Sequence, residues 1–231
     1  MAKAAPEEER EARLERREHT AFVGTAPYFD EDLQVPQSPE HRRTISEVGS
    51  VLELIAKEAG LIYLSDHPIW YLHPETDEQK SFYGDLVIAR QVDARRITAE
   101  DLLMVIEVVT TRERKKEIKD TVFQRAVNEY NGVPEFGLIY PDHADKRSMS
   151  WFTIDEENGR YREITLSPGS VVEPRAIPGL EIRVRPVEDW VPGRKLELYY
   201  LGEPRRGLEE ERERAQRLEA KLRALGVDPD S

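Results

Sequence analysis

The stretch Leu102-Leu103-Met104-Val105-Ile106-Glu107-Val108-Val109 constrains this chain more than any other. Its apolar residues do not alternate with polar ones. Both faces of the strand must therefore be covered, as at the centre of a sheet packed on two sides. Glu107 alone interrupts the run. An ionised carboxylate in such a place costs several kcal/mol unless something compensates it. The compensation is a basic partner, an exit to solvent at the strand end, or a metal ion.

The neighbouring sequence reads as strands mixed with helices. Ile45, Val48, Leu52, Ile55 and Ala59 recur at steps of three and four before Gly60. An amphipathic helix capped by Ser38 is expected there. Short apolar stretches at 61–64, 69–72 and 86–89 read as strands. A helix is expected from about Arg112 to Asn131, stopped by Asn131-Gly132, with a strand following at 136–140. Residues 149–154 and 160–166 flank a hairpin turn at Asn158-Gly159, and 180–186 adds one more strand. Trp70 and Tyr71 read as core. The fold class is α/β, a mixed central β-sheet flanked by helices.

Both ends are polar. Residues 1–37 read as a charged N-terminal arm and loop, 38–200 as the folded domain, and 201–231 as a charged C-terminal helix. On that helix Leu208, Ala215, Leu218, Leu222 and Leu225 follow a heptad seam that Glu211 spoils. It is a short coiled-coil candidate, or equally a solvated helix folded back on the body. A homodimer is one assembly the seam allows.

Composition removes whole classes of function. Among 231 residues there is no cysteine, which excludes a disulfide scaffold, a thiol nucleophile and cysteine-ligated zinc. No apolar run approaches the roughly 20 residues of a membrane span, and the N-terminus is charged, so no membrane association and a cytoplasmic location are expected. The five histidines follow no zinc spacing, and no glycine-rich phosphate loop is present. A net charge of −12, from 34 basic and 46 acidic residues, argues against a general nucleic-acid coat protein but leaves room for a local basic patch.

A second carboxylate gives Glu107 a context. Asp85 opens the preceding strand, and if the two strands are neighbours both carboxyls meet at one spot. Two such groups repel unless a cation lies between them. Oxygen donors with water and phosphate suit Mg²⁺ or Mn²⁺, and the Val108 carbonyl adds a donor of the same kind.

The order strand with Asp, strand with Glu, helix, strand leads to a resemblance. Ser38-Pro39-Glu40-His41, Gly84-Asp85-Leu86-Val87, Val105-Ile106-Glu107-Val108-Val109 and Gly132 to Pro141 resemble the Uma-two family of putative restriction endonucleases. So do Pro178-Gly179-Leu180 and the tail from Glu213 to Pro229. The resemblance spans roughly 38–229. It implies a restriction-endonuclease-like core of PD-(D/E)XK type and Mg²⁺-dependent hydrolysis of phosphodiester bonds, with nucleic acid, DNA above all, as partner. Asp85 and Glu107 would hold the ion.

The family's lysine lies on the next helix, in Asp-x-x-x-Lys-x-x-x-Tyr. Here those positions are Asp120, Gln124 and Asn128, while Gly84 stands for proline and Phe136-Gly137 for Tyr-Trp. Gln124 can orient water but carries no charge and cannot act as a base. The alternative is therefore a weak or inactive nuclease fold that binds nucleic acid or a protein. In an α-helix Lys119 falls about 140° from Gln124, which argues against its standing in. Arg112, Arg114, Lys115 and Lys116 are candidates for gripping phosphate, or form a solvated helix face balanced by Glu113 and Glu117. Glu47, Asp120 and Lys119 are possible accessory groups; Glu47 reads first as an ordinary exposed glutamate, and Asp120 equally as a helix-surface acid. His41 reads as a helix-start residue.

Overall fold

The computed structural model describes residues 38–91, 96–109 and 117–225. Helix α1 (Pro39–Glu58) begins where Ser38 caps it, the Ser38 hydroxyl accepting from the His41 N–H at 3.1 Å. Pro39, with no N–H to lose, suits the first turn. Val48, Val51, Leu52 and Ile55 form its buried stripe.

Strands β1 (Ile62–Leu64), β2 (Pro68–Leu72), β3 (Gln79–Tyr83), β4 (Leu86–Ala89), β5 (Ile97–Thr98) and β6 (Leu102–Val108) come next. A helical segment then runs through a π-helical turn (Lys119–Gln124) into α2 (Arg125–Tyr130). Strands β7 (Glu135–Ile139), β8 (Met149–Ile154), β9 (Tyr161–Leu166), β10 (Val171–Val172), β11 (Leu180–Val184), β12 (Leu196–Tyr200) and β13 (Glu203–Arg205) lead to α3 (Leu208–Ala224).

The main sheet has six strands in the order β1-β4-β6-β7-β8-β9. Only β6 and β7 pair in parallel; the other neighbours are antiparallel, so the sheet is mixed. β6 lies inside it, and six of its seven residues are buried. Alternation along β6 then feeds two cores. Met104, Ile106 and Val108 pack with α1 and with a four-stranded sheet, β10-β11-β12-β13. Val105 and Val109 face the other core, with Phe123 and Val127 from the helical segment and Ile69, Tyr71 and Phe82 from a three-stranded sheet, β3-β2-β5.

Gly137 pairs with Trp151 across β7 and β8. A Cβ at 137 would stand 2.9 Å from the Trp151 ring and 3.1 Å from Ile106, so the indole occupies the space a side chain there would need. Asn131 pins α2 to β2 by exchanging hydrogen bonds with the Leu72 N–H and C=O, both at 2.9 Å.

Three expectations shift. The four-stranded sheet is larger than the single strand read at 180–186. Dividing the chain between 200 and 201 cuts the β12–β13 hairpin, whose strands pair Tyr200 with Glu203. The helix expected from Arg112 to Asn131 is not uniformly α-helical. Among the described residues no helix is long and apolar enough to cross a membrane.

Candidate active site

The antiparallel register of β4 on β6 pairs Leu86 with Ile106. Continued by one residue, it sets Asp85 across from Glu107, so both side chains rise from the same face of the sheet. Asp85 is held at two points. Its Oδ2 accepts from the Val108 N–H at 2.8 Å, and its carbonyl accepts from the Ser65 hydroxyl at 2.8 Å. Val108 thus enters the site through its N–H.

Glu107 is 2% exposed, and its Oε1 has no hydrogen-bond partner among the described residues. Burial pushes its pKa well above the ordinary carboxylate range, the charges of Asp85 and Asp120 push it further, and Lys119 opposes them. Among the described residues the acids around Glu107 thus outweigh the one lysine that opposes them. The pocket favours a proton or a cation.

The helical segment supplies the rest. Asp120 is buried, and the Lys119 Nζ lies 4.0 Å from its Oδ1. The α-helical expectation separated Lys119 from Gln124 by about 140°. In a π-turn the hydrogen bonds run to the fifth residue instead of the fourth, which brings residues five apart back toward one face. The turn spans these two residues, so that separation does not hold. Lys119 lies against Asp120, beside the acid pair.

Gln124 and Asn128 are each 1% exposed. The Asn128 amide donates to the Gln124 carbonyl at 2.8 Å, while Gln124 Oε1 and Asn128 Oδ1 have no donor among the described residues.

His41 does more than start a helix. It is buried, and its Nε2 lies 3.8 Å from Asp85 Oδ1, so the N-terminus of α1 reaches the end of the sheet. No sequence signal joined these residues, because the contact crosses between elements of different period.

Glu47, a possible accessory acid that read first as an exposed glutamate, is instead buried and paired elsewhere. Its Oε1 accepts from Arg194 Nη2 at 2.6 Å, and Arg194 also binds Glu213 at 2.7 Å. The side chain faces the four-stranded sheet and α3 instead of the acid pair. Trp70 is half-buried, covered by the Arg96 guanidinium 3.6 Å above its ring, whereas Tyr71 is core. Arg112, Arg114, Lys115 and Lys116 lie outside the described residues.

An unsatisfied buried carboxylate oxygen beside a second carboxylate fits a hard divalent cation, which takes one or two carboxylates and keeps several waters. Among the described residues no group of three or more His, Cys, Asp or Glu side chains is placed to hold a metal ion. An ion bound to the pair would complete its shell with water and phosphate.

Comparison with known proteins gives the wider setting. Residues 24–188 match the model of the Uma-two family, described as "Putative restriction endonuclease". Among solved structures, a putative nuclease belonging to DUF820 from Anabaena variabilis matches with a TM-score of 0.41 at 15% identity, covering 62% of this chain and 76% of that one. No curated protein matches. The chain belongs to the Uma-two family.

Proposed function

We propose that this member of the Uma-two family is a divalent-metal-dependent endonuclease that hydrolyses phosphodiester bonds, with DNA as its substrate. The observation that carries the reading is Glu107, buried in a central strand and crowded by Asp85 and Asp120, with Lys119 in opposition among the described residues. A purely structural strand has no use for such a residue. Asp85 and Glu107 would hold Mg²⁺ or Mn²⁺. When bound, such an ion shields the phosphate charge and acidifies a water.

The chain's own groups do the rest. The Val108 N–H fixes the Asp85 carboxylate in place, and His41 lies 3.8 Å from its other oxygen. Lys119 supplies the positive charge that Gln124 lacks, close enough to the acids to stabilise charge building on the phosphate. Gln124, a buried amide with an unsatisfied oxygen, orients the attacking water. In this reading the residues that carry the chemistry lie within 38–200.

A second reading, a nuclease fold that binds nucleic acid or a protein without cutting, draws on one observation: Gln124 is neutral and only 1% exposed. Incubating supercoiled plasmid and oligonucleotides with Mg²⁺, Mn²⁺ or EDTA separates the two. We expect metal-dependent cleavage that falls at least 100-fold in Glu107→Ala, with an unchanged circular dichroism spectrum. Binding without cleavage in either metal, unrescued by Gln124→Lys, would establish the second reading.

A further inference from the structure

The three-stranded sheet β3-β2-β5 turns one face to the core, where Ile69, Tyr71, Phe82 and Ile97 are buried. Side chains alternate along a strand, so Trp70 and Tyr83 belong to the opposite, outer face. The register sets Trp70 across from Ser81 and Tyr83 across from Pro68. Trp70 and Tyr83 are therefore diagonal neighbours, about 7–8 Å apart and within reach of aromatic side chains. On its other side Trp70 pairs with Thr98 of β5. Arg96, two residues before Thr98, is exposed, and its guanidinium lies 3.6 Å from the centre of the indole ring. Tyr83 is 46% exposed.

Two further features say what this face accepts. None of the three strands contains an acidic residue, although the chain has 46 of them and a net charge of −12. A phosphate strand that the whole molecule repels meets no carboxylate from these strands. The face also runs straight into the acid site. Tyr83 ends β3, and Asp85 follows after Gly84 alone. Two residues of chain span at most about 7 Å. Gly84 is buried, and a Cβ there would stand 2.6 Å from the Val87 side chain. The link is close-packed, so Tyr83 keeps a fixed place beside Asp85.

Every nucleobase has a π-face on which aromatic rings and guanidinium planes stack. In a duplex the neighbouring base pairs cover those faces; an unpaired strand offers them. We infer that the outer face of β3-β2-β5 stacks the unpaired bases of the strand whose phosphate lies at Asp85 and Glu107, which makes the substrate single-stranded or locally opened DNA. The inference rests on the nuclease reading for the place of that phosphate. At about 3.4 Å per nucleotide, a base on Tyr83 belongs within some two or three nucleotides of it.

The test measures binding of a labelled oligodeoxythymidylate of about 16 nucleotides, and of a duplex of equal length, to the full chain in EDTA. The single strand should bind at least tenfold tighter. Tyr83→Ala and Arg96→Ala should each weaken it at least fivefold with Tm unchanged, whereas Tyr83→Phe keeps the ring and the affinity. Arg96→Lys keeps the charge but loses the plane, and should not restore binding. The Tyr83→Ala loss should be equal at about 50 and 200 mM salt, because stacking releases no counterions. Equal affinity for strand and duplex, indifference to both alanine substitutions, or self-association of the chain that Tyr83→Ala abolishes would each overturn the inference. Cleavage is scored apart, in Mg²⁺ and in Mn²⁺. Cutting without a strand preference would remove this inference and leave the nuclease reading. Strand binding lost in Tyr83→Ala, with no cutting in either metal, would remove the nuclease reading and leave the bases on this face.

Discussion

Glu107 sets two demands against each other. Its carboxyl is held well above the ordinary value of 4.5, first by burial and then by Asp85 and Asp120. Between that ordinary value and the raised one, the folded chain keeps a proton that the unfolded chain has released. Stability therefore falls as pH rises through the window. Glu107→Gln, isosteric and uncharged, should stabilise the protein in EDTA at neutral pH by about 1 kcal/mol or more, some 2–4 °C in Tm. The gain should vanish below about pH 4, where the native residue is protonated in both states. Thermal melts across the pH range read this directly. An equal gain at every pH would show that the charge is not the cause. The same substitution should abolish cleavage, so the residue that costs stability is the one the chemistry requires.

Individual elements differ in how openly the sequence announced them. β4 is an unbroken apolar run, β6 is one but for Glu107, and α1 has a clean three-four repeat, because each is built to be buried. Glu107 was conspicuous for the same reason, as the lone charge in such a run. The second sheet was harder to read: β12 (Leu196-Glu197-Leu198-Tyr199-Tyr200) has only five residues, alternating buried with half-buried, and follows a turn-rich stretch. The π-turn left no local signal at all. Its extra residue is absorbed where Asp120, Phe123 and Gln124 must all stay buried, a demand made by the sheet beneath rather than by helix propensity. Deleting one residue between 119 and 124 would remove the residue that the π-turn absorbs and restore regular α-helical spacing, shifting Lys119 and Asp120 relative to Gln124 while Asn131 stays on its β2 partner. Gly137 tests the sheet in a simpler way. Gly137→Ala drives a methyl into Trp151 and Ile106, and we expect a loss of about 1–3 kcal/mol in urea unfolding. A smaller residue at 151 added to that variant should recover part of it.

Across the whole molecule, Arg194 is the tie between the first helix, the second sheet and the last helix. It is largely buried against Glu47, 10% and 8% exposed, and reaches Glu213 as well. Removing it strands a carboxylate under α3, so Arg194→Met should cost about 3 kcal/mol, and Glu47→Leu combined with it should restore most of that. The pair also couples distant parts of the chain in time. On a ribosome adding roughly 5–20 residues per second, the 147 residues between Glu47 and Arg194 take about 7–30 s to emerge. For that interval the nascent first helix carries an acid whose counter-ion has not yet been made, so its side of the fold closes only after the second sheet has emerged.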